Sequence, residues 1–277
     1  MPAAHVSDPP PFAFGTNWQS FVRTALDDTR IATAAEALQR LLRLDQLHGR
    51  SFLDVGCGSG LSSLAALTLG AQRVVAFDSD PNSVAASAAL RSRAGIPEDR
   101  WRILQGSVLD GNFLAALERT DVVYAWGVLH HTGAMWQAVD HTVRLVKPGG
   151  LLALAIYNNV ERRIGGSAHW WRIKRRYNRS SQPLQRLMEY AYVLRFGIGQ
   201  LVTGRNPVAA IRRYDGAGRG MDFWHDVRDW LGGFPYEYAT AGDVFNYVHA
   251  THGLDLVYLN THDGHGCNEF TFGCPGR

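Results

Sequence analysis

Short apolar runs alternate with segments of helical periodicity along much of this 277-residue chain. Each run is rich in aliphatic and aromatic residues, and a turn followed by a helix-length segment separates it from the next run. This alternation predicts a parallel β-sheet that is covered by helices on both faces. The five predicted strands are residues 51–55, 73–77, 101–105, 122–126 and 151–156.

The pattern changes on either side of this alternation. Apolar residues recur at helical spacing from Gln19 to Leu44, which predicts one amphipathic helix packed onto the sheet, and the proline-rich segment MPAAHVSDPPPF before it indicates a loose leader. After Asn159 the strand pattern stops, and arginine, tryptophan and tyrosine become frequent. It resumes near Ala241 with a helix and two further strands, at residues 254–260 and 269–273.

These changes divide the chain into three parts. No serine- or glycine-rich linker isolates the aromatic and basic region, so we expect it to pack as a lid over the carboxyl edge of the sheet, between the fifth and sixth strands. The predicted parts are a leader and helical segment at 1–48, an α/β core formed by 49–159 and 241–277, and a mostly helical lid at 160–240.

Basic charge is concentrated in the predicted lid. The chain has a net charge of +3, but the segment from Glu161 to Arg213 contains 12 arginine or lysine residues and two glutamates, a local balance of +10 that leaves the remainder at −7. Such side chains bind carboxylates, phosphates or nucleic-acid backbones, or they form a solvated helical face. The candidate anion-binding residues are Arg162, Arg163, Arg172, Lys174, Arg175, Arg176 and Arg179.

Neither membrane insertion nor a disulfide framework is expected. The longest apolar stretch, LMEYAYVLRFGIGQLV from Leu187, has 16 residues and contains Glu189 and Arg195, so it is too short and too polar to span a bilayer. The chain has three cysteines, which agrees with a reducing compartment, and we expect a cytoplasmic protein. They are Cys57, Cys267 and Cys274.

A glycine loop follows the first strand, in the sequence LDVGCGSG. Gly56, Gly58 and Gly60 have the spacing G-x-G-x-G, where a ligand can approach the backbone closely at the carboxyl end of a sheet. Leu61 stands where a dinucleotide-binding loop would have its third glycine, and no G-K-[ST] phosphate cradle is present. The loop therefore lacks the residues that usually bind a pyrophosphate.

Two other strand ends carry residues that suit an adenosine. Asp78 ends the second strand, 24 residues after Asp54, and a carboxylate at that position can accept hydrogen bonds from both ribose hydroxyls. The third strand ends in QGSVLD, where Ser107 and the backbone of Val108 could meet an adenine edge. The glycine loop, the acid and this turn follow one another in the order that an adenosine site requires.

Four motifs in this order, LDVGCGSG, VVAFDSDP, QGSVLD and LVKPGG, resemble those of the class I S-adenosylmethionine-dependent methyltransferases. The resemblance covers residues 51–158 and departs from the family at Ser107, where the family commonly has aspartate. It implies a Rossmann-like seven-stranded sheet ordered 3-2-1-4-5-7-6, with strand seven antiparallel. It also implies that Asp54 and the three glycines flank the methionine part of the cofactor, Asp78 the ribose, and Ser107 and Val108 the adenine. Ser79 and Trp126 complete the predicted cofactor-binding set.

The fourth strand ends in DVVYAWGVLHHTG, which brings two histidines to the carboxyl edge of the sheet. Imidazole can take a proton near neutral pH, as transfer to a hydroxyl requires. Methyltransferases that act on base amino groups share an Asn/Asp-Pro-Pro-Tyr/Phe element at this position, and this chain lacks it. Small-molecule O-methyltransferases often have a histidine there, and this chain resembles them in that respect. We predict His130 as the first candidate for the general base and His131 as the second, with a structural role for either as the alternative.

Three further features surround the expected acceptor site. His225 and Glu269 are candidate acceptor contacts, and clusters such as THDGHGCNEF could bind a divalent cation, with Mg²⁺ favoured by oxygen ligands. Asn158 and Asn159 either line the acceptor pocket or end the fifth strand. The lid supplies rings suited to stacking on planar acceptors, or to its own core: Trp170, Trp171, Tyr177, Tyr214, Phe223, Trp224, Trp230, Phe234, Tyr236 and Tyr238.

These observations favour an O-methyltransferase that uses S-adenosylmethionine and acts on a small molecule, with a saccharide such as a mannose-containing oligosaccharide as the first-choice acceptor. Three alternatives stay open. A quinol- or phenol-type lipid is one, with residues 187–202 resting on a membrane surface. RNA or peptide methylation is the second, although a nucleic-acid partner is not expected, and a non-catalytic cofactor-binding module is the third. Association into a homodimer is a further expectation.

Overall fold

The computed structural model describes Phe12 and residues 14–24, 26–214 and 223–276. The segment MPAAHVSDPPP of the predicted leader and residues 215–222 of the predicted lid lie outside this range. The strands are β1 (Ser51–Val55), β2 (Arg73–Asp78), β3 (Trp101–Gln105), β4 (Thr120–Trp126), β5 (Val146–Tyr157), β6 (Asp255–Asn260) and β7 (Cys267–Gly273). The helices are α1 (Phe14–Thr24), α2 (Asp28–Leu42), α3 (Leu61–Thr68), α4 (Pro81–Arg93), α5 (Gly111–Ala115), α6 (Met135–Val143), α7 (Ser167–Arg179), α8 (Gln182–Val202), α9 (Pro207–Arg212), α10 (Phe223–Gly232) and α11 (Ala241–His252).

The seven strands form one sheet in the order β3-β2-β1-β4-β5-β7-β6. Strands β1 to β5 pair in parallel, whereas β7 runs antiparallel to both β5 and β6. This confirms the predicted fold class, including the antiparallel seventh strand. Because β1 and β4 lie side by side at the centre although they are distant in sequence, their carboxyl ends form the crevice in which open α/β sheets bind ligands.

Helices cover both faces of the sheet, as the alternating pattern predicts. One hydrophobic cluster joins β1 and β2 to α1, α2, α3 and α4, through side chains such as Phe21 and Leu64. The other joins β4, β5 and β7 to α5, α6 and α11, through side chains such as Val139 and Val248. Strand β1 is buried along its whole length, as expected for a central strand with both faces covered.

The fifth strand begins earlier than predicted. Thr120 pairs with Val146, and the next pair joins Val122 to Leu151, so the KPGG segment forms a bulge inside the strand rather than a turn before it. The bulge lets the Lys147 ammonium reach Asp121, 3.0 Å away, at the amino end of β4.

The predicted N-terminal helix is two helices. Helix α2 begins after Asp27, whose carboxylate accepts a hydrogen bond from the Arg30 backbone N–H at 2.9 Å and so caps the helix. Helix α1 lies across α4, beside the glycine loop. The periodicity from Gln19 to Leu44 continues across this break because both helices bury one apolar face, which is why the sequence did not reveal it.

Helices α7, α8 and α10 share a third hydrophobic cluster, built mainly from aromatic side chains. The Tyr177 hydroxyl donates a hydrogen bond of 2.8 Å to Glu189, and the same carboxylate lies 3.5 Å from the Arg228 guanidinium. The buried side chains of this cluster are Tyr157, Trp170, Tyr177, Phe223, Val227, Leu231, Phe234 and Tyr236.

Candidate functional site

The glycine loop adopts a backbone that favours glycine at three positions. Gly56, Gly58 and Gly60 have φ values of +70°, +52° and +81°. A Cβ atom on Gly56 would lie 2.4 Å from a Val128 methyl group, and one on Gly60 would lie 2.8 Å from the Ser87 hydroxyl oxygen. The glycines are therefore required both by the backbone conformation and by close packing.

The Asp78 carboxylate lies directly beside this loop. Its Oδ2 accepts a hydrogen bond of 3.0 Å from the Gly58 N–H, and its Oδ1 accepts one of 2.9 Å from the Asp80 N–H. Burial raises the pKa of Asp78, and the two backbone hydrogen bonds oppose that rise. Each carboxylate oxygen keeps a further lone pair, so the group can also accept hydrogen bonds from ligand hydroxyls. Ser79, the next predicted cofactor contact, is exposed at this edge.

Asp54 is buried behind the glycine loop. The Ser63 hydroxyl, from the first half of α3, donates a hydrogen bond of 2.6 Å to it. Burial raises the Asp54 pKa to about 7, and the hydrogen bond from Ser63 opposes that rise. Ser63 was not predicted from the sequence, although a hydroxyl nine residues after the acid is the kind of signal that could have suggested it.

The turn after β3 meets the end of β2. The Gly106 N–H donates a hydrogen bond of 3.0 Å to the Asp78 carbonyl, which brings this turn beside the predicted ribose acid. The Ser107 hydroxyl accepts a hydrogen bond from the Leu109 N–H at 3.1 Å, and Val108 is buried with its carbonyl 2.8 Å from His141 Nδ1. The structure thus brings the predicted adenine contacts to the same edge as the glycine loop.

Helix α1 adds residues to this edge that the sequence did not single out. The Gly15 N–H donates a hydrogen bond of 2.8 Å to Asp80, two residues beyond the predicted ribose acid. The Trp18 indole covers the loop so closely that a Cβ on Gly58 would lie 2.9 Å from its Nε1. Nothing in the local pattern distinguishes Trp18 from a core aromatic residue, so its position depends on tertiary packing.

Trp126 and Glu269 are partners across the sheet. Their strands flank β5, with Ala155 in register between them. The Trp126 indole N–H donates a hydrogen bond of 2.8 Å to Glu269 Oε1, and the Asn260 amide donates one of 3.0 Å to Oε2. Glu269 therefore lies at the carboxyl edge with an indole and an amide holding its carboxylate.

The two candidate bases lie in a 3₁₀ turn at Leu129–His131, where His130 is fully buried and His131 is half-buried. The His130 Nδ1 accepts a hydrogen bond of 3.2 Å from the Tyr157 N–H, whereas the His131 Nδ1 lies 2.6 Å from the Pro235 carbonyl, which can only accept. The two rings therefore carry their protons on opposite nitrogens: Nε2 in His130 and Nδ1 in His131. Burial lowers the pKa of His130 and brings that of His131 to about 3, so both rings are neutral.

A buried lysine lies close to these histidines. Lys174 belongs to the predicted basic segment, but its ammonium points inward, donating a hydrogen bond to the Trp230 carbonyl. The nitrogen lies 4.0 Å from the centroid of the Trp230 ring, 4.8 Å from that of Tyr236 and 5.6 Å from that of Tyr157. Burial lowers its pKa to about 7. Lys174 is therefore not placed to bind an external anion, which corrects the prediction from the sequence. Its ammonium faces the aromatic rings, whereas Arg172 and Arg176 on the same helix are exposed.

The other candidate contacts are dispersed. His225 is buried against α1, where its carbonyl accepts a hydrogen bond from the Asn17 amide at 3.0 Å and its ring lies 5.8 Å from that of Phe21. His265 contacts the Gly165 carbonyl in the loop after β5. Within the part of the chain that the structure describes, no group of three or more histidine, cysteine, aspartate or glutamate side chains is placed to hold a metal ion.

An open cleft of about 660 Å³ lies at the carboxyl end of β5, between α6 and α11. The Trp136 and Tyr247 rings form one wall, with centroids 4.5 Å apart. A second cleft of about 340 Å³ adjoins it through Asn159 and includes Asn158, so both asparagines line clefts as well as ending the strand. The remaining lining residues of the larger cleft are Asn159, Tyr238, Ala239, Asp243 and Asn246.

Two sequence comparisons agree with this geometry. Residues 53–152 match the sequence profile of the family described as "Methyltransferase domain". The ribosomal protein L11 methyltransferase of Tolumonas auensis is 35% identical over 131 residues, which cover 44% of this chain and 39% of that protein. The chain thus matches about two fifths of the length of this curated relative.

Solved structures extend the similarity to nearly the whole fold. An O-methyltransferase family protein from Burkholderia thailandensis superposes with a TM-score of 0.55 and 15% identity, over 95% of this chain and 60% of that one. The N-methyltransferase NodS from Bradyrhizobium japonicum, solved with S-adenosyl-L-homocysteine, superposes with a TM-score of 0.51 and 13% identity, over 95% of this chain and 99% of that one.

In the described residues, no helix is both long enough and apolar enough to cross a membrane.

Proposed function

We propose that this chain is a class I S-adenosylmethionine-dependent methyltransferase and that it transfers a methyl group from that cofactor to a hydroxyl group of a small molecule, with a saccharide as the first-choice acceptor. The observation that carries the proposal is the position of the glycine loop and Asp78 together at the crevice of a sheet ordered β3-β2-β1-β4-β5-β7-β6.

The residues at this crevice fit the adenosine and methionine parts of the cofactor. Asp78 has oxygen lone pairs left to accept the ribose hydroxyls, and Ser107 and Val108 lie at the adenine end. The close packing of Gly56 against Val128 and of Gly58 against Trp18 leaves no room for a side chain in this loop. When bound, the cofactor supplies an electrophilic methyl group on a sulfonium; the protein must align the acceptor, accept its proton and exclude water.

The larger cleft has the chemistry of a saccharide site. The Trp136 and Tyr247 rings offer flat apolar faces that stack on the C–H face of a sugar ring. Asn159, Asn246 and Asp243 contribute amide and carboxylate groups, which bind hydroxyls as donors and acceptors. Polar groups set among aromatic rings are typical of small-molecule sites.

The proton positions favour His131 over His130 as the general base. With its Nδ1 proton directed at the Pro235 carbonyl, His131 keeps a free lone pair on Nε2, whereas the His130 lone pair is used by the Tyr157 N–H. A carbonyl that orients the imidazole from behind is the arrangement that a histidine base requires. The Cε1–Nε2 edge of His131 lies against Gly233, since a Cβ on that residue would be 2.7 Å from Cε1. The proposed reaction therefore requires the segment around Gly233 to move aside, which also exposes the ring and relieves the burial that lowers the pKa of His131 to about 3.

Calorimetry with S-adenosylhomocysteine tests the cofactor assignment. Two charge-assisted hydrogen bonds to the ribose are lost in Asp78→Asn, so we expect affinity to fall about 100-fold. The matched control is Asp99→Asn, an exposed acid beyond α4, which should bind like the wild type. A folded protein that ignores both the cofactor and its demethylated form would overturn the proposal.

Transfer of a labelled methyl group to a panel of saccharides, phenols and quinols tests the acceptor and the base. We expect His131→Ala to lower turnover by roughly 10² to 10⁴ and to leave cofactor affinity unchanged. His48→Ala is the control, because His48 is exposed at the opposite, amino edge of the sheet. Transfer to phenols or quinols alone would remove the saccharide assignment, and full turnover in the His131 variant would remove this histidine from the mechanism.

Protein methylation is the second candidate. It is favoured by the 35% identity to a ribosomal protein L11 methyltransferase, although the match covers 39% of that relative and leaves most of it unmatched. Ribosomal proteins belong in the same acceptor panel, with label detected on gels. Label on protein in the absence of any small-molecule product would favour this candidate over the first.

A further inference from the structure

Helix α8 has an exposed apolar stripe along its outer face. Residues at positions 187, 190, 194, 198 and 201 recur every three or four residues, so they line one side of the helix. We name these five the α8 stripe; Val202 extends it and is 82% exposed. The exposed fractions are 62% for Leu187, 63% for Tyr190, 65% for Leu194, 52% for Ile198 and 63% for Leu201.

The opposite side of the same helix is already used. Tyr192 and Phe196 pack into the aromatic cluster that α8 shares with α7 and α10, and Glu189 is buried in contact with Tyr177. Among the residues that the structure describes, the stripe is therefore not part of a hydrophobic core. A contiguous exposed apolar surface of this kind marks an interaction site rather than a packing surface.

Positive charge surrounds the stripe. Arg186 and Arg195 lie on its two sides, about a quarter-turn away, and both are exposed. Of the two glutamates between residues 161 and 213, Glu189 is buried beside Arg228, so Glu161 is the one exposed acidic residue of this segment. The other exposed arginines of this segment are Arg162, Arg163, Arg172, Arg176, Arg179, Arg205, Arg212 and Arg213.

An aromatic pair stands at the edge of the stripe. The Tyr190 ring lies 6.3 Å from that of Trp224, edge to face, and Trp224 is 37% exposed. Tyrosine and tryptophan are enriched where membranes meet water, because one part of the ring system is apolar and the other can form hydrogen bonds. Leucine, aromatic rings and flanking arginines on one helix form the pattern of an interfacial amphipathic helix.

We propose that the α8 stripe docks onto the surface of an anionic lipid bilayer, with the leucine, isoleucine and tyrosine side chains in the interfacial layer and the flanking arginines on lipid phosphates. This is peripheral binding: the helix lies in the plane of the interface and does not cross the membrane. The inference is independent of the proposed function, because it rests on α8 alone and holds whatever the acceptor is.

Charge selects the bilayer over the other occupants of such a face. Two copies of the chain meeting through α8 would place two arginine-rich surfaces together, and like charges in an interface cost free energy. A nucleic acid would satisfy the arginines, but would leave the leucine and isoleucine side chains without an apolar partner. An anionic bilayer satisfies both, since basic side chains near its surface are attracted to the anionic lipids and apolar side chains enter the interfacial layer.

Co-sedimentation of the full chain with vesicles tests the inference. We expect binding to phosphatidylcholine vesicles that contain phosphatidylglycerol, and little binding to phosphatidylcholine alone. Leu194→Ser with Ile198→Ser should weaken binding at least about tenfold, since two interfacial apolar side chains are lost. The matched control is Val257→Ser with Leu259→Ser, two exposed apolar residues on β6 that should leave binding unchanged.

A charge variant separates the electrostatic contribution. Arg186→Gln with Arg195→Gln should weaken binding roughly 30-fold, and added salt should do the same to the wild type. Arg102→Gln with Arg119→Gln, two exposed arginines outside the lid, is the control. Near-ultraviolet circular dichroism establishes that each variant is folded.

Three results would overturn the inference: no sedimentation with anionic vesicles, equal sedimentation of the wild type and the Leu194/Ile198 variant, or a dimer in analytical ultracentrifugation that this variant abolishes. Retention of RNA that depends on Arg186 and Arg195 but not on the stripe would assign the surface to nucleic acid instead.

Discussion

The glycine-loop end of the sheet and the predicted lid each bury a side chain that can carry a full charge, and they hold Asp54 and Lys174 in different ways. Asp54 lies behind the loop and receives one hydrogen bond of 2.6 Å from Ser63, nine residues along the chain. Lys174 is surrounded by rings from β5, from α10 and from the segment after α10, and it donates to the Trp230 carbonyl, 56 residues away. The first environment is built from local sequence and the second from distant sequence.

This difference has a thermodynamic counterpart. Burial disfavours the charged form of both groups, so it raises the Asp54 pKa to about 7 and lowers the Lys174 pKa to about 7. Because the two groups carry opposite charges when ionised, a change of pH affects the stability of the two regions in opposite directions. Variants in each region therefore test the comparison.

The largest expected effect is at the loop. Gly56→Ala places a Cβ 2.4 Å from a Val128 methyl group at a residue with a φ of +70°, so both steric strain and overpacking oppose it. We expect a loss of about 3 kcal/mol in the free energy of unfolding, measured by urea denaturation, and loss of cofactor binding.

Gly95→Ala is the control for that variant. Gly95 also has a positive φ, +64°, but a Cβ there would meet nothing within 4 Å. Its cost should be about 1 kcal/mol, with cofactor affinity unchanged. Equal losses in the two variants would show that the conformation of the loop, rather than its close packing, limits substitution.

The next largest effect is at the lid lysine. The folded-state pKa of Lys174 is about 7 against an ordinary value of 10.5, so its contribution to stability falls as the pH falls from 10.5 towards 7, and the cost is complete below 7. The free energy of unfolding of Lys174→Met minus that of the wild type should therefore be about 3 kcal/mol higher at pH 6 than at pH 9.5. Denaturation curves of both proteins at the two pH values measure this difference.

Arg176→Met is the matched control, since it removes an exposed positive charge two residues further along α7. Its difference from the wild type should be the same at both pH values. If the Lys174 variant behaved in that way too, the lysine would not be desolvated as the aromatic cage implies.

Asp54 gives the opposite sign and a smaller effect. Its folded-state pKa is about 7 against an ordinary 3.8, so its contribution is complete below 3.8 and is lost as the pH rises through 7. Without cofactor present, the free energy of unfolding of Asp54→Asn minus that of the wild type should be about 2 kcal/mol higher at pH 8 than at pH 5. Asp45→Asn, an exposed acid after α2, is the control, and a gain in the same direction as Lys174→Met would contradict the comparison.

The same contrast explains how much of the fold the sequence could predict. Strands β1 and β3 have the predicted boundaries because turns and apolar runs mark their ends locally. The early start of β5 was missed because the KPGG bulge looks like an ordinary turn until the pairing with β4 is known. The break between α1 and α2 was missed because both helices keep one apolar face.

In the candidate site, too, residues in local motifs were predicted from the sequence and residues placed by distant contacts were not. The three glycines and Asp78 were predicted because a motif of fixed spacing lies in one strand–loop–helix unit, and the structure brings them together. Trp18 and Lys174 were not recognised, because an aromatic residue on a helix and a lysine in a basic run look like core and surface until the fold brings distant residues to them. The catalytic roles of His130 and His131 stay predictions, because the surroundings of these histidines also come from distant parts of the chain.

The smallest expected effect lies at the amino edge of the sheet, away from both regions. Partial burial acts to raise the pKa of Asp121, but hydrogen bonds from Ser51 and Lys147 outweigh it and lower the pKa to about 2. The contribution of the ionised Asp121 to the free energy of unfolding is therefore complete above pH 3.8 and is lost as the pH falls through 2. Because these side chains are 30–39% exposed, Asp121→Asn should cost only about 1 kcal/mol at pH 7, and nothing in cofactor affinity. A loss of affinity measured by calorimetry would show that the two edges of the sheet are coupled, and the local description of the glycine loop would then be incomplete.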